Sequence, residues 1–262
     1  MLIPVNGIEV AVERTGDGPP LVLVHGFTGS ATDWAGVVDE LATGREVVTV
    51  EHRGHGNSTN TGDEATYTFD QLVADLAAVV DALELDRFDL LGHSMGGIVA
   101  MRYALQHPER LRSLILMDTG ARASAEGPST AFMRAGFDIA REGGVAAVLA
   151  SIERFIPDDE VGQRTLVQLR DNYDHLDVAA FLALGEELLT HPSVLDRLAG
   201  LTVPTTVVVG ENDHNLRPAA DDLAATIPGS VLVVIPDAAH SPQVENRSAW
   251  MDAVLSHLDH TA

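Results

Sequence analysis

The chain has no cysteine, so covalent catalysis by a thiolate, a disulfide and a thiolate zinc site are all excluded, and any nucleophile must be a hydroxyl or another group. One hydroxyl stands apart. Gly92-His93-Ser94-Met95-Gly96 fits G-x-S-x-G and sits directly after the apolar run FDLL and directly before the helical stretch that opens at Met95. That is the strand–turn–helix setting in which this motif presents a nucleophile. The turn is so sharp that only small residues fit beside Ser94, which accounts for Gly92 and Gly96. Its Oγ is expected at a helix N-terminus, whose dipole favours developing negative charge.

A serine hydroxyl is a weak nucleophile without a base. Of the eleven histidines, His240 is the candidate, because DAAHSP follows the last apolar run and falls at the same sheet end as Ser94. His93 is expected to turn away, and His107, His191, His257 and His260 to belong to helix ends or surfaces. The base needs a carboxylate to fix its tautomer and stabilise the imidazolium. Asp213, after TTVVVG in Gly210-Glu211-Asn212-Asp213, supplies it in the chain order Ser, Asp, His. Asp118, at the end of SLILMD, is the rival acid; its other reading is a turn cap. Two N–H donors are needed for a tetrahedral oxyanion. Met95, next in the elbow, offers one, and Phe27 of His25-Gly26-Phe27 offers the other.

These loops need a frame. Asn6-Gly7 between IPV and IEVAVER predicts a hairpin. LVLVHG (21–26), REVVTVEHRG (45–54), FDLLGHS (88–94), SLILMD (113–118), TTVVVG (205–210) and VLVVIP (231–236) read as strands. Helices are expected near 31–42, from the Thr68 cap through Leu83, over 95–106, and near 217–226 and 243–258. Such alternation implies a mostly parallel sheet with helices on both faces. It breaks over 121–200, where AFMRAGFDIA, VAAVLASIERF, RTLVQLRDNY and VAAFLALGEELL carry helical spacing only. This stretch is expected to be a helical lid inserted where ligands of such sheets bind, leaving residues 1–120 and 201–262 as the core domain.

At 262 residues the chain suits one large domain with an insertion. Its formal net charge of −23 repels polyanions and argues against nucleic acid and anionic membrane surfaces as partners. All sixteen basic residues are Arg, a bias that fits either coding composition or salt adaptation. No basic leader with an apolar core opens the chain, and no run reaches roughly 18 uncharged apolar residues, so a cytoplasmic location is expected. His52 and His55 form H-x-x-H in a Gly-rich turn, without the helical spacing of a metalloprotease; no metal and no cofactor are expected.

With HGF at 25–27, HRGHGNS at 52–58, GHSMGG at 92–97, GENDHNLRP and the late DAAHSP in order, the chain resembles the α/β-hydrolase superfamily, in its lid-bearing branch of esterases, lactonases and C–C hydrolases. The resemblance spans nearly the whole chain and implies an eight-stranded sheet. It also implies acyl transfer, with a small to medium apolar ester or lactone as substrate. A C–C hydrolase, a perhydrolase and a small-molecule receptor on this fold are the alternatives. Glu51 stands where the family usually has Asp, which is expected to alter packing and not chemistry. Arg53 and His55 are expected to shape the turn beside the pocket. Phe27, Phe132, Met133, Phe137, Phe155, Tyr173 and Phe181 are candidates to line an uncharged substrate cavity under the lid. A monomer or homodimer is expected.

Overall fold

The computed structural model describes residues 1–123, 126–158 and 160–261. Strands β1 (Leu2–Val5) and β2 (Ile8–Thr15) pair antiparallel. Asn6 and Gly7 close their hairpin with φ of 47° and 77°, the doubly positive turn that this dipeptide suits. β3 (Pro20–Val24), β4 (Glu46–Val50), β5 (Phe88–His93), β6 (Leu111–Met117), β7 (Thr205–Gly210) and β8 (Val231–Ile235) complete an eight-stranded sheet in the order β1-β2-β4-β3-β5-β6-β7-β8. β2 meets β4 antiparallel, and every pair beyond is parallel.

Among the described residues the helices are α1 (Val38–Leu41), α2 (Phe69–Ala82), α3 (Met95–Gln106), α4 (Pro128–Ile152), α5 (Glu160–Asp174), α6 (Val178–Thr190), α7 (Leu195–Leu198), α8 (Arg217–Thr226), α9 (Pro242–Glu245) and α10 (Arg247–His260). The period of two along β3 divides the core. Val22 and Val24 join Leu72, Val79 and Val99 of α2 and α3. Leu21 and Leu23 join Trp34, Leu41, Trp250 and Val254 on the other face. β5 and β7 are buried at every residue, as a strand covered on both faces must be. Between β6 and β7, helices α4 to α6 carry a cluster of their own, built on Phe137, Leu149, Tyr173 and Phe181. No described helix is long and apolar enough to cross a membrane.

Two helical boundaries differ from expectation, and one long helix is kinked. The stretch expected as one helix over 31–42 is a 3-10 turn at Ala31–Trp34 followed by the short α1. The tighter i to i+3 bonds, such as Val37 N–H to the Trp34 carbonyl at 2.9 Å, put Trp34 and Val37 on one side, and both are buried in the same cluster. Within α4 the backbone leaves the helical region at Gly144, whose φ is 72°, so the kink falls between the two apolar runs AFMRAGFDIA and VAAVLASIERF. The last helix is two, because the Asn246 side chain caps Ala249 N–H and starts α10 afresh.

Candidate active site

Ser94 joins β5 to α3 at φ 53° and ψ −117°. A non-glycine residue holds that conformation only where its surroundings impose it. Here Ser94 N–H donates to the Met117 carbonyl at 2.9 Å, and Thr119 Oγ1 donates to the Ser94 carbonyl at 2.7 Å. Close approach accounts for the flanking glycines: a Cβ on Gly92 would lie 2.3 Å from the Gly96 carbonyl oxygen, and one on Gly96 would lie 2.4 Å from that of Val24.

The structure brings the three sequence-predicted residues together. Ser94 Oγ lies 3.1 Å from His240 Nε2, and His240 Nδ1 lies 2.6 Å from Asp213 Oδ2. With Nδ1–H donating to the carboxylate, Nε2 is free to accept the serine proton. Burial pushes the Asp213 carboxyl upward, but the hydrogen bond and charge of His240, with Leu216 N–H at 3.2 Å from Oδ1 and the Asp118 carboxyl, outweigh it and hold Asp213 below the ordinary range. Asp118 does not meet the imidazole as Asp213 does. It is fully buried, and its Oδ1 accepts Gly210 N–H at 2.9 Å. Burial is the largest cause that pushes it up to about 9, with the neighbouring Asp213 carboxylate adding to it against the opposing Gly210 N–H.

Several supports were not anticipated. His93, expected to turn away, is buried against the site, and its Nε2 donates to the carbonyl of His240 at 2.7 Å. Glu245 Oε2 accepts the N–H groups of Ala239 at 2.6 Å and Ser241 at 3.2 Å, one on each side of His240. Beside Phe27, His25 Nε2 accepts His52 N–H at 3.0 Å, which leaves Nδ1–H to donate to the Gly26 carbonyl at 2.8 Å. His55 Nε2 lies 2.6 Å from the Phe27 carbonyl. Burial drives all three of these imidazoles to the neutral side, His52 to about 3. Neutral His25 thus holds the Gly26 carbonyl, and neutral His55, with one N–H for two facing carbonyls, Phe27 at 2.6 Å and Arg53 at 3.0 Å, favours the shorter contact and so steadies the loop that carries Phe27 N–H. Met95 occupies the first position of α3, where an N–H has no acceptor within the helix. The Glu51 carboxylate accepts Ala31 N–H at 3.1 Å and Asn57 N–H at 2.7 Å, tying the Gly-rich turn to the loop that follows β3.

Ser94, Phe27, Met95, Asp213 and His240 open on one cavity of about 830 Å³ between the carboxyl ends of the strands and the helices that follow β6. The aromatic lining differs from expectation. Phe27 lines the cavity, but Phe132 and Phe155 are 60% and 68% exposed, the latter beside the Arg154 guanidinium. Phe137 and Phe181 pack with Tyr173 in the helical cluster instead, and Phe181 stacks behind Phe27 at 5.1 Å. Helical spacing marks apolar faces without telling which of them meet a cavity and which meet each other. Met133, Leu169 and Leu188 supply much of the apolar wall, and His191, at the end of α6, is buried against it. Nor is the wall uncharged. Asp33 lies in it, accepting Gln168 Nε2 at 2.6 Å and Asn172 Nδ2 at 3.0 Å, and Arg122 pairs with Asp222 at 3.2 Å.

Residues 19–143 match the family model described as the alpha/beta hydrolase fold. The chain is 33% identical over 261 residues to the pimeloyl-[acyl-carrier protein] methyl ester esterase of Aeromonas hydrophila, covering 96% of this chain and 99% of that one. Among solved structures, a thermophilic esterase from Thermogutta terrifontis is 32% identical with a TM-score of 0.83, covering 99% of this chain and 97% of that one. The enol-lactonase from Burkholderia xenovorans LB400 is 25% identical with a TM-score of 0.87, covering 99% and 100%. A full-length relative at this identity leaves one assignment: the chain belongs to the α/β-hydrolase family and is an esterase-like hydrolase.

Proposed function

We propose that the protein is a serine hydrolase that cleaves small to medium apolar carboxylic esters or lactones through an acyl-enzyme on Ser94. The observation that carries this reading is the chain of contacts from Ser94 Oγ to His240 Nε2 at 3.1 Å and from His240 Nδ1 to Asp213 Oδ2 at 2.6 Å, at the floor of a cavity. Ser94 Oγ attacks the ester carbonyl carbon while its proton passes to His240 Nε2. The oxygen that becomes negative is held by the N–H groups of Phe27 and Met95. Collapse breaks the bond to the alcohol oxygen, which leaves with the proton from His240. Water, losing a proton to the same nitrogen, then releases the acid. Asp213 stays ionised throughout and steadies the imidazolium.

Phe27, Met133, Leu169 and Leu188 favour an apolar acyl or alcohol group. Residues 121–200 serve in this reading as the lid that keeps bulk water from the acyl-enzyme. The experiment is hydrolysis of p-nitrophenyl acetate, butyrate and octanoate, with the intact mass taken after a fluorophosphonate probe and Ser94→Ala as control. Turnover with a single adduct is expected, and the variant should lose both, with kcat down on the order of 10⁶. Labelling at Ser94 without ester turnover would transfer the same residues to another bond, such as C–C. The absence of both labelling and turnover would overturn the reading.

A further inference from the structure

Asp118 directly follows β6 and has no part in the steps above. Its side chain is fully buried, and its backbone stands at φ 43°, in the left-handed region. One carboxyl oxygen takes the Gly210 N–H; the other is closed to solvent and meets no N–H or O–H donor among the described residues. The carboxyl also belongs to a trio with Asp213 and His240 in which one polar atom of each lies within 4.8 Å of the others. As a carboxylate, Asp118 would set a bare buried oxygen beside a second negative group, and both conditions are unfavourable. As a carboxylic acid it escapes both, since its O–H becomes a donor beside the Asp213 carboxylate, with an oxygen of each within 4.8 Å of the other.

We propose that Asp118 is held as the neutral acid and donates its hydrogen bond to the Asp213 carboxylate, so that it is a positioning residue acting through Asp213 on His240. This rests on the acyl-transfer reading of Ser94, His240 and Asp213. The Asp213 carboxylate then receives His240 Nδ1–H, Leu216 N–H and the Asp118 proton, three donors from three different loops, and cannot rotate away from the imidazole. His240 faces one negative charge shared by two carboxyl groups and not two charges, as in other dyads that hold a single proton. Glu245, from α9, is the further acid that bears on Asp118, and it too favours the protonated form. Burial, which pushes Asp118 up to about 9, agrees with the geometry.

Asp118→Asn is neutral, keeps a carbonyl for Gly210 N–H and keeps a donor for Asp213. Its kcat on p-nitrophenyl butyrate should stay within about threefold of the parent, and the acid limb of its kcat/KM against pH should not move. Asp118→Ala removes the donor. Its kcat should fall about tenfold at constant KM, a loss set by one hydrogen bond to a charged group. Its acid limb should move to higher pH, because Asp213 then binds the imidazolium more strongly. An acid limb that moves to lower pH in Asp118→Asn would mean that a negative charge had been removed, and would overturn the proposal. So would a loss in Asp118→Asn as large as that in Asp213→Asn. Infrared spectroscopy on the unaltered protein needs neither variant nor turnover. A protonated-carboxyl C=O band should be present at pH 7 and titrate away near pH 9, and its absence at pH 7 would overturn the proposal. Because this band does not depend on Ser94 chemistry, failure of the proposal and failure of the acyl-transfer reading are told apart by it and by fluorophosphonate labelling.

Discussion

The ring of His93 lies 5.0 Å from that of His240, and its Nε2 donates to the His240 backbone carbonyl at 2.7 Å. A carbonyl only accepts, so Nε2 carries the hydrogen. Burial is the largest cause that holds His93 down to about 3, and the ring therefore stays a neutral donor throughout the range where the enzyme would work. The residue beside Ser94 thus anchors the backbone of His240, across 147 positions of chain.

That anchor makes His93→Ala a test of loop position. A hydrogen bond of about 1 kcal/mol net corresponds to roughly a fivefold loss in the aligned population. We expect kcat to fall by about that factor, with KM unchanged. Glu245→Ala, which frees Ala239 and Ser241 N–H, should act in the same direction. The double variant should lose more than the product of the two, since either anchor alone still limits the loop. Kinetics on p-nitrophenyl butyrate check this; an unchanged kcat in the double variant would remove both residues from the positioning of His240.

Asp213→Asn isolates the acid. The amide presents an N–H or a carbonyl with no charge, and the imidazole is then offered the wrong tautomer and no counter-ion. A loss on the order of 10⁴ in kcat is expected, with labelling by the fluorophosphonate slowed in parallel and the fold retained by circular dichroism. Loss below about tenfold would mean that the His240 contact at 2.6 Å is structural only.

The elements that carry chemistry were the most legible part of the sequence. α3 and β7 match their expected bounds residue for residue, because a buried parallel strand and a helix stopped just before a proline each leave a local signature that needs no tertiary context. The grouping of Ser94, Asp213 and His240 followed from three loops at one sheet end. What was not legible depended on contacts between segments distant in sequence. Nothing around Asp118 announces that its carboxyl lies beside Asp213, and nothing in GHSMGG shows that His93 holds the His240 carbonyl. The Phe residues of 121–200 failed for a related reason. Phe137 and Phe132 lie on the same helix, yet one is buried and the other 60% exposed, and composition alone does not separate helix-facing from cavity-facing positions. His191 shows the limit of reading position as exposure, for it ends α6 as expected and is still buried.

Buried neutral histidines set the acid side of stability. Burial lowers His52 and His93 to about 3 and His257 to about 4. In the unfolded chain the same groups bind protons near the ordinary value of about 6.5. Below that value the unfolded state takes up protons that the folded state refuses, so stability falls as pH drops from about 6.5 toward 3. Asp118 works in the opposite sense. Its folded value of about 9 lies above the unfolded one, so its contribution is complete at low pH and declines as pH rises through about 9. Thermal melts from pH 4 to pH 9 should show a maximum in between. His257→Gln, which can keep a bond to Thr206 Oγ1 in place of the 2.8 Å contact, should flatten the acid slope. An acid slope unchanged in that variant would assign acid unfolding to other groups.

The surface charge yields the last expectation. With 39 acidic residues against sixteen arginines the formal net charge is −23, and much of the excess is exposed, so like charges repel in the folded state more than in the expanded one. Some arginines are already committed to neighbours, as in Arg110 with Asp81 at 2.7 Å and Arg247 with Glu40 at 2.6 Å. Exposed pairs of this kind contribute about 0 to 1 kcal/mol each, and salt weakens them. The repulsion they leave behind acts over longer distances, where the Debye length falls from about 30 Å at 0.01 M to about 8 Å at 0.15 M. Relief of the long-range term should therefore outweigh loss of the short-range pairs. Raising NaCl from 10 to 150 mM at pH 7.5 should lift Tm by roughly 2–4 °C, the shift that about 1 kcal/mol produces in a domain of this size. A fall in Tm over that interval would mean that the arginine pairs, and not the unpaired carboxylates, dominate the electrostatics of this surface.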